Sequence, residues 1–200
     1  MEKEALKRIF EFLEDKEGKK SNHKYGLKWK LTFNEPLIKE DLNVKGNLDL
    51  KYLEITSLPK GLKVSGDLYL DWSNIISLPE GLKVGGDLNL SYSLHLDSLP
   101  NGLVVGGYLD LSYSKIISLP EGLEVGDDLY LHYSKTKSLP QGLKVGGDLD
   151  LRYSKIIISL PEGLKVGGDL FIIYSPLKKY TDDQLREMIK PGFIKGIIYR

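Results

Sequence analysis

The dipeptide Leu-Pro returns six times at a nearly fixed interval, and this recurrence constrains the chain more than any other feature. The prolines are Pro59, Pro79, Pro100, Pro120, Pro140 and Pro161, spaced by 20, 21, 20, 20 and 21 residues. Between them an apolar frame repeats. It reads Leu68, Leu70, Ile75, Leu78, Leu82 and Val84 in one copy, and Leu109, Leu111, Ile116, Leu119, Leu123 and Val125 two copies later. A unit this short cannot bury its own apolar face, so each copy must stack on its neighbours.

The local patterns say how. In "DLYLDW" leucines alternate with polar residues, the period of a half-buried strand. Paired glycines such as Gly85-Gly86 suit a tight turn just before that strand. The Leu-Pro marks an extended return segment, because proline has no N–H for an interior ladder. The fold class expected is mainly β: a parallel β-solenoid of six to seven coils, its strands about 4.8 Å apart. Six copies run from about Asn47 to Gly168, and a seventh starts at Asp169 before degenerating. The two 21-residue intervals hold one extra residue each, in "SLHLDS" and "SKIIIS", and predict bulges.

The units divide the chain into an N-terminal cap (1–46), the solenoid (47–175) and a C-terminal helical cap with a tail (176–200). In the first cap Leu6, Ile9, Phe10 and Leu13 fall on one helical face. A polar loop follows, and "YGLKWKLTF" then predicts a strand with Leu27, Trp29, Leu31 and Phe33 on one side. In the second cap Thr181 starts a helix, with Gln184 completing a capping box and Pro191 stopping it. The tail "GFIKGIIYR" reads as a final strand, packed against the stack or offered to a second copy through Ile197, Ile198 and Tyr199.

"LYLDWSNIISLPEGL" resembles the frame of a leucine-rich repeat, and the short period with Leu-Pro resembles the bacterial type found in secreted effectors. The wording "LPEGLxVGGxLxL" is similar to repeat proteins of bacteria and their phages. The resemblance implies a leucine-rich-repeat type of solenoid and a scaffold for recognising other molecules. It departs at the asparagine slot, where Ser73, Ser93, Ser114, Ser134 and Ser154 stand, each expected to hydrogen-bond turn backbone.

Stacking turns each slot into a row. Before the serine slot every copy is aromatic: Tyr52, Trp72, Tyr92, Tyr113, Tyr133, Tyr153 and Tyr174. Before the first strand leucine come Asp67, Asp87, Asp128, Asp148 and Asp169, and between the leucines Asp110 and Asp150 recur with tyrosines. These rows are expected to share one exposed face. Trp72, Tyr92, Tyr113, Tyr133 and Tyr153 are the candidate partner-binding anchors, with Asp87, Asp110, Asp128, Asp148 and Asp150 supplying charge. The alternative is structural: rings one rung apart stack on each other, and a solvated acidic row prevents aggregation. Lysines fall elsewhere, as Lys115, Lys135 and Lys155 after the serine slot and Lys63, Lys83, Lys144 and Lys165 before the valine.

Chemistry is sparse. There is no cysteine, hence no disulfide, thiolate nucleophile or thiolate metal site. His23, His95 and His132 have no metal-ligand spacing, and no G-x-S-x-G elbow surrounds the serines. The glycine pairs open strands rather than helices, so they form no phosphate cradle. The expectation is a non-enzymatic protein-binding module without cofactor or metal. Its partner would be another protein with a basic surface, and the chain an inhibitor of a host defence protein if phage or bacterial. A carbohydrate-binding module on the tyrosine row and a self-associating repeat protein, a homodimer through the termini, are the alternatives. Lys plus Arg equals Asp plus Glu at 28 each, which argues against direct nucleic-acid or membrane partners. No signal-like or membrane-length apolar run is present, so a cytoplasmic location is expected, the host's if the chain is phage-encoded.

Overall fold

A computed structural model describes residues 26–200, and the N-terminal helix expected around Leu6–Leu13 lies outside them. The chain winds as a parallel β-solenoid of about 20 residues per coil, carrying two sheets rather than one. The first, here the valine sheet, stacks β1 (Asn43–Val44), β3 (Lys63–Val64), β5 (Lys83–Val84), β7 (Val104–Val105), β9 (Glu124–Val125), β11 (Lys144–Val145), β13 (Lys165–Val166) and β15 (Phe193–Ile194). The second, the leucine sheet, stacks β2 (Leu48–Asp49), β4 (Leu68–Tyr69), β6 (Leu88–Asn89), β8 (Leu109–Asp110), β10 (Leu129–Tyr130), β12 (Leu149–Asp150), β14 (Leu170–Phe171) and β16 (Ile198–Tyr199). All pairings are parallel and in repeat register, as in Leu88↔Leu109 and Val84↔Val105.

One coil runs through four events. The glycine pair bends the chain from the valine sheet into the leucine sheet. An aromatic corner follows, then an extended third side, then a turn back to the valine sheet. The Leu-Pro closes the extended third side, as expected, and this last turn follows it. The Leu82 N–H donates to the Pro79 carbonyl at 3.2 Å, and Gly81 takes a φ of +66°, which glycine accommodates without strain. Along the third side Ile76 N–H donates to Thr56 O at 2.8 Å and Ile117 N–H to Asp97 O at 2.7 Å, which keeps the coils in step. The extra residue of each 21-residue copy bends out of this side, leaving Leu94 and Ile156 exposed while Leu96 and Ile157 keep the buried slot.

The core is the stack of inward slots. Leu68, Leu88, Leu109, Leu129, Leu149 and Leu170 are fully buried, as are Leu70, Leu90, Leu111, Leu131, Leu151 and Ile172. Each such side chain contributes on the order of 1.5–3 kcal/mol.

The ends depart from the sequence reading in two ways. Leu27–Phe33 is a helix, α1, not a strand. "LKWKLTF" satisfies both periods, and the helical one wins because Asn34 closes the helix in the left-handed conformation (φ 56°). That turn buries Leu27 and Lys30 and lets Lys30 meet the Asp41 carboxylate at 2.6 Å. At the other end the seventh copy does not fade. After β14 the chain makes a helical excursion and then completes the last rung of both sheets through β15 and β16. The excursion includes α2 (Asp182–Met188), which begins at Thr181 with its capping box to Gln184 as expected. Leu185 and Ile189 are fully buried, and Arg186 donates to the Ile194 and Gly196 carbonyls of the last coil.

Candidate functional site

The aromatic slot ends each leucine-sheet strand, and all seven of its residues are left-handed, with φ between 56° and 59°. Such a conformation is strained for bulky side chains. The backbone there is tied to the next coil, as where the Tyr52 N–H donates to Asp71 O at 3.3 Å and the Tyr92 N–H to Ser112 O at 3.0 Å, and from Trp72 onward the rings stack as well. Trp72 stacks on Tyr92 at 4.1 Å between ring centroids, and Tyr92 on Tyr113 at 4.7 Å. The series continues from Tyr113 to Tyr133 at 4.8 Å, Tyr133 to Tyr153 at 4.4 Å and Tyr153 to Tyr174 at 4.8 Å. Six rings thus form one ladder along the corner, with interplanar angles from 5° to 23°. Their faces are spent on each other. Solvent meets their edges and hydroxyls, and Trp72, Tyr113, Tyr133 and Tyr174 remain exposed. The Tyr133 phenol is pushed above its ordinary value, by loss of solvation and then by its neighbour Tyr153.

Behind the ladder the serine slot is buried. The hydroxyls of Ser73, Ser93, Ser114, Ser134, Ser154 and Ser175 make no hydrogen bond, contrary to the expected bond to turn backbone. The slot holds this small side chain in six coils, and Leu53 takes it in the first, packed against the core.

The aspartate row has a role that the sequence reading missed. Asp67 Oδ1 accepts the Asp87 N–H at 3.0 Å, Asp87 Oδ1 the Tyr108 N–H at 3.0 Å, and Asp128 Oδ1 the Asp148 N–H at 2.7 Å. Asp148 does the same for Asp169, and Asp169 for Ile197, both at 2.7 Å. Each carboxylate therefore ties its coil to the next. The Asp67 carboxyl is held below its ordinary value, first by the Asp87 N–H and then by the Tyr69 hydroxyl. In return Tyr69 is pushed up to about 12.

This row also explains the second glycine of each pair. A Cβ at Gly86, Gly107, Gly147 or Gly168 would stand within 3.0 Å of the preceding coil's aspartate Oδ1. Asp127 is the copy without glycine in this slot, and it follows the copy in which Tyr108 replaces the aspartate. Where the carboxylate is missing, the side chain fits.

The residues between the strand leucines behave differently again. Asp110 Oδ1 accepts the Ser112 N–H at 2.8 Å, closing a local turn. Asp150, expected to be exposed, is 1% exposed. Arg152 grips it through Nε at 3.0 Å and Nη2 at 2.7 Å, and His132 Nδ1 stands 3.4 Å away. Burial pushes the Asp150 carboxyl up, but the hydrogen bonds from His132 and Arg152 outweigh it and hold it at about 2. Its charge is therefore consumed within the protein.

Ser112, His132 and Asp150 stand on adjacent coils, and their chemistry can be judged from geometry. Ser112 Oγ lies 3.0 Å from His132 Nδ1, the same nitrogen that faces Asp150. A nucleophilic relay needs the serine on one ring nitrogen and the carboxylate on the other. This arrangement is a hydrogen-bonded cluster, not a relay. Among the described residues no group of three His, Asp or Glu is placed to hold a metal, and no helix is long and apolar enough to cross a membrane. A cleft of about 640 Å³ lies between α1, residues 34–37 and residues 52–59, rimmed by Tyr52 and lined by Leu31, Leu37, Leu53 and Ile55.

The expected anchors Trp72, Tyr92, Tyr113, Tyr133 and Tyr153 are thus brought together in one ladder. Asp87 and Asp148 line the far edge of the leucine sheet with one oxygen engaged, Asp128 has both engaged because its Oδ2 also accepts the Tyr130 hydroxyl at 2.7 Å, and Asp150 is withdrawn from the surface. Comparison with known proteins gave no match to any family model, curated protein or solved structure.

Proposed function

We propose that this chain is a non-enzymatic protein-binding scaffold, and that its partner lies along the aromatic ladder. The observation that carries the reading is the ladder itself: six rings in register at a corner, held in a strained backbone conformation and left open to solvent on their edges. Tyrosine offers rigid amphipathic area at low entropic cost, the property that makes it frequent in binding hot spots. The outer oxygens of Asp87 and Asp148, with Asp110 nearer the ladder, give this side a negative field and suit a basic partner surface. A carbohydrate module is the weaker reading, because a sugar stacks on ring faces and these are occupied except at the ladder's ends. The finer reading follows from the repeat wording: a leucine-rich-repeat type of scaffold, with α1 and α2 closing its ends. In its phage or bacterial setting it is a cytoplasmic inhibitor that fills the basic groove of a host protein.

The test is a pull-down from lysate at low and high salt, with a Tyr113→Asn, Tyr133→Asn variant beside the native protein. Asparagine tolerates the left-handed backbone, so the variant removes rings without adding strain. A protein captured by the native chain, released by salt and lost with the variant supports the proposal. A protein held equally by both contradicts it.

A further inference from the structure

The third side of the coil combines aliphatic and cationic side chains, and neither the ladder nor the core accounts for them. Ile76, Ile117 and Ile158 occupy one outward slot on alternate coils, 56%, 40% and 62% exposed. Leu94 and Ile156, the residues bent outward in the two longer copies, add to the same side. Between and beside them are exposed Lys115, Lys135, Lys137 and Lys155, none of which has a carboxylate within ion-pair distance among the described residues. The ladder stands at the corner beside this side, two positions before each of Lys115, Lys135 and Lys155, and its Tyr113 and Tyr133 rings are exposed.

We infer that this third side is a docking surface for an anionic lipid bilayer. Aliphatic groups that enter the acyl boundary, lysines that meet anionic headgroups and tyrosines at headgroup depth are the three components of an interfacial surface. The coils stack in repeat register, so one slot from each coil is presented along a continuous row. A partner made of charge alone, such as a nucleic acid, would leave the isoleucines without a role. The overall balance of 28 cationic and 28 anionic residues conceals this side, because the aspartates stand across the leucine sheet from it. The opposing charges on the side itself are Glu54 in the first coil and Asp97, with Glu80, Glu121 and Glu162 beyond it at the Leu-Pro corner. The outward row of the valine sheet also carries lysines, but there Lys144 pairs with Glu124 and Val104 is the lone exposed aliphatic between the ends. This inference does not depend on the protein-binding reading of the ladder.

The experiment is co-sedimentation of the full chain with vesicles of phosphatidylcholine alone and of phosphatidylcholine mixed with phosphatidylserine. The native protein is expected on the mixed vesicles and not on the neutral ones, with binding lost as salt rises. Lys135→Gln with Lys155→Gln should lower the partition by about twenty-five-fold, at about fivefold per lysine. Ile117→Ser with Ile158→Ser should lower it as well, although it leaves the charge intact. All four side chains are exposed, so thermal unfolding should be unchanged in both variants. Lys63→Gln with Lys83→Gln on the valine sheet should bind like the native chain. Absence of native binding, or a loss confined to the valine-sheet variant, would overturn the inference.

Discussion

Tyr133 sits at the middle of the ladder with φ 56°, between Tyr113 at 4.8 Å and Tyr153 at 4.4 Å. Removing its ring forfeits two stacking contacts of about 0.5–1.5 kcal/mol each, so Tyr133→Ala is expected to cost about 1–3 kcal/mol. The backbone adds a second effect. Alanine is strained at this φ as tyrosine is, by about 1–2 kcal/mol, whereas glycine is not. Glycine's extra freedom in the unfolded chain cancels about 0.5–1 kcal/mol of that relief. Tyr133→Gly should therefore be more stable than Tyr133→Ala by about 0.5–1 kcal/mol, with Tyr133→Asn between them. Tyr174, at the end of the ladder, has one ring neighbour in Tyr153, and Tyr174→Ala should cost about half as much as Tyr133→Ala. Urea unfolding with a shared m-value measures all four. An alanine variant at least as stable as the glycine one would refute the conformational argument. Equal costs at Tyr133 and Tyr174 would refute stacking as their origin.

Three further outcomes follow from the same structure. Tyr108→Asp should destabilise by about 1–3 kcal/mol, because its carboxylate would enter the space of Asp127; Asp127→Gly in the same chain should restore most of the loss, and a double-mutant cycle without coupling would contradict this. Ser134→Ala should be neutral or stabilising by up to about 1 kcal/mol, since the hydroxyl is buried without a partner, and a clear loss in urea unfolding would count against that description. Asp150 is held at about 2 against an ordinary 3.8, so its contribution is present above the higher value and lost as pH falls toward the lower one. Allowing for solvent around Arg152, that contribution is about 1–2 kcal/mol. The stability gap between the native chain and Asp150→Asn should close as pH drops through this window, and a gap that widens would contradict the pairing.

The repeat frame was legible because every slot recurs. Leu88 and Leu109 could be placed in register from the Leu-Pro spacing alone, and Thr181 with Gln184 announced its helix through a local bond. Leu27–Phe33 was not legible, because its apolar residues fit both periods and a cap at Asn34 decided between them. The aromatic row was found, but not its left-handed backbone. The left-handed corner finds its backbone partners about 20 residues away, as the Tyr92 N–H does at Ser112 O, and no local propensity reports them. The aspartates were read as surface charge because their acceptor role also lies one coil away. One signal for that role was in the sequence: Tyr108 interrupts the aspartate row, and in the next copy Asp127 interrupts the glycine row. Asp150 was misplaced for a similar reason, since its burial depends on Arg152 and on His132 from the coil before.

The central claim is that the ladder, not the valine sheet opposite or the ends, meets the protein partner. A photo-reactive phenylalanine in place of Tyr133, compared with the same group in place of Lys83, tests it most directly by locating the contact. The account predicts that one protein species is cross-linked in lysate from position 133 and not from position 83, and that excess unmodified native chain competes it away. Cross-linking of that species from position 83 alone, or equally from both, would contradict the claim.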